Sequence, residues 1–413
     1  MLQPSLNPTV DPSDVGVDAD RLARIDAVTH DYVDSGRFPC VQFLMVRRGE
    51  IVHHDVYGHA DVDDQRPVRS DTIYRIYSMT KPVTSVALMM LYEEGKVLLE
   101  DPVSKYLPAF ANPRVFEGGN ELNFTSREAD REVTVHDVLT HTSGITYGFQ
   151  NQHAVDAIYR THNLGDFTPS KRDLTETMEL LGSLPLQFSP GTRWCYSLST
   201  DVCGAIVEIV SGQTLDEFFT QRIFEPLGMT DTAFWVDGDD RRDRFSSNYL
   251  HFGGTTSIMD KWDRSSYLKP PAMLSGGGGL VSTMRDYHRF TQMLLNRGEL
   301  NGVRLLSGRT LDFMTTNHLP GNETLNGMGQ VGFAEGVMEG LGFGLGFSVN
   351  QSPAQNGALG SLGDYGWGGA ASTMFLVDPA EELVFILMTQ LLPSSTYPIR
   401  RELRATVYQS LVD

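Results

Sequence analysis

The stretch SMTKPVTSVALMMLYEE, residues 78–94, determines how the rest of the chain is arranged. Apolar residues occupy most sides of this helical pattern, which is typical of a helix in the middle of a protein. Pro82 falls in the first turn, where its missing N–H costs nothing, and Gly95 occupies the usual C′ position. The sequence therefore predicts a buried helix that begins at Ser78 and ends before Gly95.

Ser78 and Lys81 are the candidate reactive residues of this helix. A spacing of three places them on one helix face, about one turn apart. The free N–H groups and the positive dipole end of the helix face an anion that develops at Ser78. Apolar neighbours such as Val83 and Val86 would favour the neutral amine of Lys81, which can take the proton of the serine hydroxyl. This pattern indicates nucleophilic catalysis by serine.

Other catalytic motifs are absent from the sequence. No serine has glycine both two residues before and two residues after it, and neither HExxH nor a P-loop occurs. A second Ser-x-x-Lys, Ser266 with Lys269, lies in a charged stretch and is followed by two prolines, so we predict an exposed loop there.

Two further segments supply groups for this chemistry. Residues 188–198, FSPGTRWCYSL, place Tyr196 just before a helix, where a tyrosine near a cation can relay a proton. In Trp-Gly-Gly-Ala, residues 367–370, the glycines allow close approach of the backbone to a ligand, so the N–H groups of Ala370 and Ser78 can form an oxyanion hole. Tyr147 and Phe149 are candidate pocket residues that set acyl size.

Predicted strands lie near both ends of the chain, with helices between them. This order favours an α+β fold with an antiparallel sheet built from both termini and flanked by helices, plus a mostly helical insertion. We predict one domain from residues 1–80 and 280–413, a second from 81–279, and an active site between them. The predicted helices are 19–34, 78–94, 199–210, 214–224, 282–296 and 400–411, and the predicted strands are 41–47, 50–57, 342–349, 372–377 and 383–389. Segments 110–131 and 237–244 are expected to be loops, and 151–176 part of a lid or pocket rim.

Composition excludes several classes of protein. The 413 residues carry 33 basic and 52 acidic side chains, a net charge of −19, which argues against nucleic-acid binding. No apolar run approaches the length of a membrane span. Three cysteines are too few and too irregular for a disulfide framework or a metal site. The N-terminus lacks a basic stretch followed by an apolar one, so we expect a cytoplasmic protein. We also expect no metal and no cofactor.

The motifs together resemble the penicillin-recognising serine hydrolases: class C β-lactamases, DD-peptidases and family VIII carboxylesterases. The resemblance extends from about Tyr74 to Thr389 and includes residues 78–94 and 188–198. Three further blocks carry it: VTVHDVLTHTSGI at 133–145, EPLGMTDTAF at 225–234 and SGGGGLVSTMRDYHRF at 275–290. It implies a β-lactamase/transpeptidase-like fold.

Carried over by position, the resemblance implies that Ser78 is the acylated nucleophile, Lys81 its proton partner and Tyr196 the tyrosine of the Tyr-x-Asn motif. Trp367 stands where lactamases have the lysine of Lys-Thr-Gly, and Gly368, Gly369 and Ala370 follow it along the strand that holds the acyl group. Leu198 replaces the asparagine of Tyr-x-Asn. Both replacements make the pocket more apolar and less attractive to anions, as in family VIII esterases.

The sequence therefore favours a serine carboxylesterase that hydrolyses short- to medium-chain acyl esters through an acyl-enzyme on Ser78. Either Lys81 or Tyr196 is the general base, since the two groups would titrate jointly. The alternatives are a β-lactamase or D-amino-acid peptidase, an acyltransferase, and a catalytically silent binding protein. The expected partner is a small-molecule ester, and the oligomeric state is not predicted.

Overall fold

The computed structural model describes residues 6–167, 169–329 and 338–413. Helices occupy mainly the middle and the two ends of the chain. Within the described residues they are α1 Ala19–Asp34, α2 Thr80–Glu93, α3 Val135–Leu139, α4 Ala154–Thr161, α5 Leu174–Ser183, α6 Ser199–Ser211, α7 Leu215–Phe219, α8 Glu225–Leu227, α9 Asp239–Asp243, α10 Met284–Leu295, α11 Gly308–Met314, α12 Pro353–Asn356 and α13 Ile399–Tyr408.

The strands of the same residues form one large antiparallel sheet and four small sheets. They are β1 Cys40–Arg47, β2 Glu50–Asp61, β3 Arg66–Pro67, β4 Ile73–Arg75, β5 Arg114–Gly119, β6 Phe124–Glu128, β7 Asn248–Phe252, β8 Thr255–Asp260, β9 Val281–Thr283, β10 Glu299–Leu300, β11 Val303–Arg304, β12 Leu341–Phe343, β13 Ser348–Asn350, β14 Tyr365–Gly368, β15 Met374–Asp378, β16 Leu383–Met388 and β17 Leu391–Leu392. The large sheet has the order β12-β13-β14-β15-β16-β1-β2-β3.

The large sheet joins the two ends of the chain, because β1 pairs with β16 across more than 300 residues, with Phe43 opposite Leu387. Successive side chains of a strand point to opposite faces. Phe43 and Met45 accordingly pack in the cluster that includes residues of α1 and α13. Leu44 and Val46 pack in the cluster that includes α2 and α10. Both faces of β1 are buried, which confirms the predicted α+β fold with helices on an antiparallel sheet.

The central helix follows its sequence pattern. A short 3₁₀ helix, Tyr77–Met79, leads into α2, so the predicted helix 78–94 is present with a tighter first turn. Every residue of α2 from Thr80 to Leu91 is buried, and α2 packs against α6. The predicted helix 19–34 matches α1, which Asp18 caps by accepting a hydrogen bond from the N–H of Arg21 at 3.0 Å.

Three predictions of local structure are wrong. Segment 110–131 contains the hairpin β5–β6, whose side chains are mostly exposed and so lack the apolar alternation of a half-buried strand. Segment 342–349 is a hairpin of β12 and β13 rather than one strand, since Gly346 turns the chain at a φ of 97°. Segment 237–244 contains the short helix α9. Arg244, the last residue of the segment, is buried in an ion pair with Asp231 at 2.7 Å.

Cys40, Cys195 and Cys203 are free and buried. Among residues 6–167, 169–329 and 338–413, no helix combines the length and the apolar character needed to cross a membrane.

Leu88 and Leu98 offer a matched test of the central helix. Leu88 is fully buried in α2, whereas Leu98, just beyond the helix, is 45% exposed. We expect Leu88→Ala to lower the free energy of unfolding by about 2–5 kcal/mol, because it leaves a cavity in the core. Leu98→Ala should change it by less than about 0.5 kcal/mol. Urea denaturation measures both, and equal effects would contradict the central position of α2.

Candidate active site

Ser78 lies in the tight turn that begins the central helix. The residue before it, Tyr77, has a φ of 43°, in the left-handed region that side chains rarely adopt. Such a conformation costs roughly 1–3 kcal/mol and persists only where the surroundings hold it. Here the side chain of Asn248 donates a hydrogen bond to the Tyr77 hydroxyl at 2.7 Å. The turn presents the half-buried Ser78 at the N-terminus of α2.

The amine of Lys81 has three partners and is 2% exposed. Its Nζ lies 3.3 Å from Ser78 Oγ, 2.9 Å from the Tyr147 hydroxyl and 2.6 Å from the carbonyl oxygen of Gly277. The carbonyl can only accept a hydrogen bond, and the tyrosine oxygen can accept a second one. The third contact places the Ser78 hydroxyl within hydrogen-bond reach of the amine. The site therefore holds the Lys81 amine where proton exchange with Ser78 is geometrically possible.

The segment 275–279 brings the Gly277 carbonyl to Lys81, and Asp201 on α6 holds this segment. One carboxylate oxygen of Asp201 accepts hydrogen bonds from Ser275 Oγ at 2.6 Å and from the Gly277 N–H at 3.1 Å. An added Cβ at Gly277 would lie 2.6 Å from Asp201 Oδ2, so this close approach requires glycine. Burial raises the pKa of Asp201, while its hydrogen bond from Ser275 and the nearby Lys81 act in the opposite direction.

Tyr147 contacts the amine directly, in addition to lining the pocket as predicted. Burial, together with the nearby Tyr196 and Asp201, raises the pKa of Tyr147 well above its ordinary value. Tyr147 is therefore a neutral phenol at physiological pH, and its oxygen accepts from Lys81. Its ring stacks on that of Phe149 with 4.7 Å between centroids.

Tyr196 lies beside the amine through its ring rather than its hydroxyl. The Nζ of Lys81 is 4.5 Å from the ring centroid, a cation–π distance if the amine is protonated. The Tyr196 hydroxyl accepts from the indole Nε1 of Trp367 at 3.3 Å. Within the described part of the chain it makes no hydrogen bond to Ser78 or Lys81. Its role as proton relay stays a prediction, whereas the contact with Trp367 is part of the site.

The segment after β14 lies against the serine turn. An added Cβ at Gly369 would lie 2.5 Å from the carbonyl oxygen of Ile76, so only glycine permits this approach. The next residue, Ala370, lines the same cavities as Ser78. Within residues 6–167, 169–329 and 338–413, neither the N–H of Ser78 nor that of Ala370 donates to a backbone carbonyl. Two unpaired N–H groups beside a nucleophile match the requirement of an oxyanion hole.

Two cavities meet at Ser78, Tyr196 and Ala370. The smaller, about 210 Å³, also borders on the predicted Trp367, Gly368 and Gly369. The larger, about 670 Å³, also borders on the predicted Tyr147, Phe149 and Leu198. The remaining apolar wall of the larger cavity includes Phe167, Phe234, Tyr267, Pro270, Pro271 and Met273. Each residue predicted for the site lines one of the two cavities except Lys81, which contacts Ser78. Asp201 and Gly277, which the sequence analysis missed, also line the larger cavity.

The described residues contain one group of side chains with the spacing of metal ligands, Asp26, His30 and Asp55. It lies on α1 and β2, and none of its members lines either cavity. His30 is already paired with Asp55 at 2.9 Å. The group has no connection to the chemistry at Ser78.

The chain is similar to known proteins over most of its length. The profile of the family described as Beta-lactamase matches residues 25–409. Esterase EstB of Burkholderia gladioli is 30% identical over 417 residues, which cover 97% of this chain and 98% of EstB. A putative D-alanyl-D-alanine carboxypeptidase of Escherichia coli K12 is 26% identical over 406 residues, 92% of this chain and 84% of that protein.

Among solved structures, EstCE1 is similar over almost the whole chain. It is described as a hydrolase with promiscuous acyltransferase activity. The TM-score is 0.79 at 24% identity, and the match covers 94% of this chain and 99% of EstCE1. This likeness shows the β-lactamase/transpeptidase-like fold.

Covalent labelling tests the pair of Ser78 and Lys81. Ser78→Ala should abolish the adduct with a fluorophosphonate, seen as a mass increase of the protein. Lys81→Met should slow labelling by roughly 10²–10⁴-fold, the usual contribution of a general base. Lys96→Met is the matched control, since Lys96 is exposed and pairs with Glu94 at 2.7 Å. Rapid labelling of Lys81→Met would contradict the role of the amine.

The two tyrosines can be separated by their contacts. Tyr147→Phe removes a hydrogen-bond acceptor from a buried amine, a loss of about 1.5 kcal/mol, and we expect acylation of Ser78 to slow about tenfold. Tyr196→Phe should slow turnover and leave the fold intact. Tyr57→Phe, a change on β2, is the control. The rate of fluorophosphonate labelling measures acylation, and an unchanged rate for Tyr147→Phe would show that its contact with Lys81 is dispensable.

Proposed function

The chain belongs to the Beta-lactamase family, and from this premise we propose that it is a serine carboxylesterase that hydrolyses short- to medium-chain acyl esters through an acyl-enzyme on Ser78. It is a hydrolase. The preference for esters is the finer proposal, and Trp367 is the observation that carries it.

Trp367 contacts Tyr196 and forms part of the wall of the smaller cavity, which Ser78 also lines. At the matching position, lactamases and peptidases have a lysine that attracts a substrate carboxylate. An indole offers one N–H donor and no charge, and here that donor is used by Tyr196. Leu198, in place of the asparagine of the same relatives, lines the larger cavity without a polar group. Both replacements favour uncharged esters over anionic lactams and peptides.

The reaction has two halves. As Ser78 Oγ attacks the carbonyl carbon, its proton passes to the Lys81 amine, and the carbonyl π electrons move to oxygen. The resulting oxyanion is stabilised by the N–H groups of Ser78 and Ala370. When the carbonyl re-forms, the bond to the alcohol oxygen breaks and the alcohol takes up a proton, either directly from Lys81 or through Tyr196. Water then attacks the acyl carbon and gives a proton to the same base. When the carbonyl re-forms, the bond between the acyl carbon and Ser78 Oγ breaks, the base returns the proton to Ser78 Oγ, and the acid is released.

The distances support Lys81 as the general base. Its amine is 3.3 Å from the serine oxygen, whereas the Tyr196 hydroxyl has its hydrogen bond with Trp367. A base must be within hydrogen-bond reach of the proton that it takes. Tyr196 is then available to deliver a proton to the leaving alcohol, since it lines both cavities.

Acyl transfer is the second candidate, and the size of the larger cavity favours it. With about 670 Å³ beside Ser78 and a mostly apolar wall, the cavity has room for an acceptor alcohol. An alcohol that reaches the acyl-enzyme before water would produce a new ester. EstCE1, which shares the fold, is described as having promiscuous acyltransferase activity.

A substrate panel tests the proposal. We expect p-nitrophenyl esters from acetate to octanoate to be hydrolysed faster than palmitate, and all of these short esters faster than nitrocefin, because the pocket lacks the cation for a carboxylate. Release of p-nitrophenol and opening of nitrocefin are both followed by absorbance, with Ser78→Ala as the blank. Faster turnover of nitrocefin would overturn the proposal. Addition of butanol and chromatography of the products distinguish transfer from hydrolysis.

A further inference from the structure

We infer that Arg400 is a positioning residue of the oxyanion hole: it fixes the peptide between Gly369 and Ala370 so that the Ala370 N–H faces the reacting oxygen. Sequence motifs give no sign of this role, because Arg400 lies on α13, more than 300 residues from the nucleophile. The inference rests on the proposed acyl chemistry at Ser78 and specifies how the chain prepares for it.

Arg400 contacts the segment after β14 at two points. Its Nη2 donates to the carbonyl oxygens of Gly369 at 2.7 Å and of Thr373 at 2.8 Å. The guanidinium also lies against Gly368, where an added Cβ would be 2.4 Å from its Cζ. The glycine at 368 therefore provides the space that the arginine occupies. Together these contacts join the two ends of the turn from Gly369 to Thr373.

The geometry of one peptide unit connects Arg400 to catalysis. The carbonyl of Gly369 and the N–H of Ala370 belong to the same trans peptide, and in such a unit the two groups point in opposite directions. Arg400 holds the carbonyl on its own side, with support from the N–H of Ser372 at 3.2 Å. The N–H of Ala370 is consequently directed away from Arg400. Rotation of this peptide would break the hydrogen bond from the guanidinium.

The turn that carries Ser78 lies against this peptide. Gly369 approaches the Ile76 carbonyl, two residues before Ser78, so closely that only glycine fits. Ala370 and Ser78 line both cavities together. Within the described part of the chain, the Ala370 N–H has no backbone acceptor, which leaves it available to a ligand. Its fixed direction is what a preorganised oxyanion hole requires.

The charge of Arg400 adds to the effect of its position. Hydrogen bonds from a charged donor are stronger than those between neutral groups, and hydrogen bonds in series polarise one another. A guanidinium bound to the Gly369 carbonyl therefore makes the Ala370 N–H a better donor toward the oxyanion. Arg400 is half-buried, so solvent weakens this effect only in part.

A different role for Arg400 would have a different kinetic signature. Because Arg400 borders the smaller cavity, its charge is near enough to a substrate to be considered as a carboxylate-binding group. Such a group would act on KM for anionic esters and leave kcat for neutral esters unchanged. A purely structural group would lower the amount of folded enzyme without changing the rate per folded site.

The test compares Arg400→Met and Arg400→Lys with Arg401→Met. Arg401 is the matched control, because it lies next in α13 and its Nη2 also donates to two carbonyls, those of Asn356 at 2.9 Å and Gly357 at 3.0 Å. We expect Arg400→Met to lower kcat for p-nitrophenyl butyrate by roughly 10- to 100-fold, with KM within about twofold. Removal of a whole oxyanion donor lowers kcat by about 10²–10³-fold, and in this variant the Ala370 N–H is still present but less well fixed. Arg400→Lys should keep part of the rate, and Arg401→Met almost all of it.

Two further measurements separate the possible failures. The second-order rate of fluorophosphonate labelling also depends on the oxyanion hole but not on the natural substrate, so it should fall in parallel with kcat in Arg400→Met. Guanidinium chloride at millimolar concentration should restore part of the rate of Arg400→Ala. Unchanged labelling, an effect on KM alone, or equal losses in Arg400→Met and Arg401→Met would overturn the inference. If the wild type were labelled by the fluorophosphonate but hydrolysed no ester, the proposed function would be overturned. The role of Arg400 would then still be decided by the labelling rates of its variants.

Discussion

The amine of Lys81 is the group on which the rest of the site depends. A polar group that is removed from water must find partners or cost several kcal/mol. Lys81 finds them in three places of the chain: Ser78 one helical turn earlier, Tyr147 in the loop after α3, and the carbonyl of Gly277. The same contacts that make its burial tolerable also hold the amine within hydrogen-bond reach of Ser78, so one set of contacts serves both burial and the geometry of the site.

Two further parts of the chain support the site around this amine, one on α6 and one after β14. Asp201 acts at a distance, because it holds the segment whose carbonyl meets Lys81. On the other side of Ser78, the oxyanion hole depends on the large sheet, since β14 must be aligned with β15 and β16 before Gly369 can reach the serine turn. Ser78 and Lys81 thus belong to one helical segment, while Ala370, which supplies the second candidate donor of the oxyanion hole, comes from the far end of the chain.

The elements that the sequence predicted well share one property, a pattern that burial imposes on neighbouring residues. Helix α1 shows helical periodicity with an acidic cap, and α2 is apolar on nearly all sides. The hairpin β5–β6 was missed for the opposite reason, because most of its side chains face solvent and impose no alternation. The hairpin β12–β13 was read as one strand because its apolar residues are continuous across the turn at Gly346.

The sequence by itself determined the relation of Ser78 to Lys81, since helical geometry converts a spacing of three residues into a contact on one face. It also identified the residues that surround them, through motifs with a fixed local form. Only the tertiary structure decided that the hydroxyl of Tyr147, rather than that of Tyr196, accepts a hydrogen bond from the amine. It also decided that Asp201 supports Gly277 and that Arg400 contacts the turn after β14. These contacts join residues that are 66, 76 and 31 positions apart. Their geometry follows from the packing of helices and sheet, and no local periodicity records it.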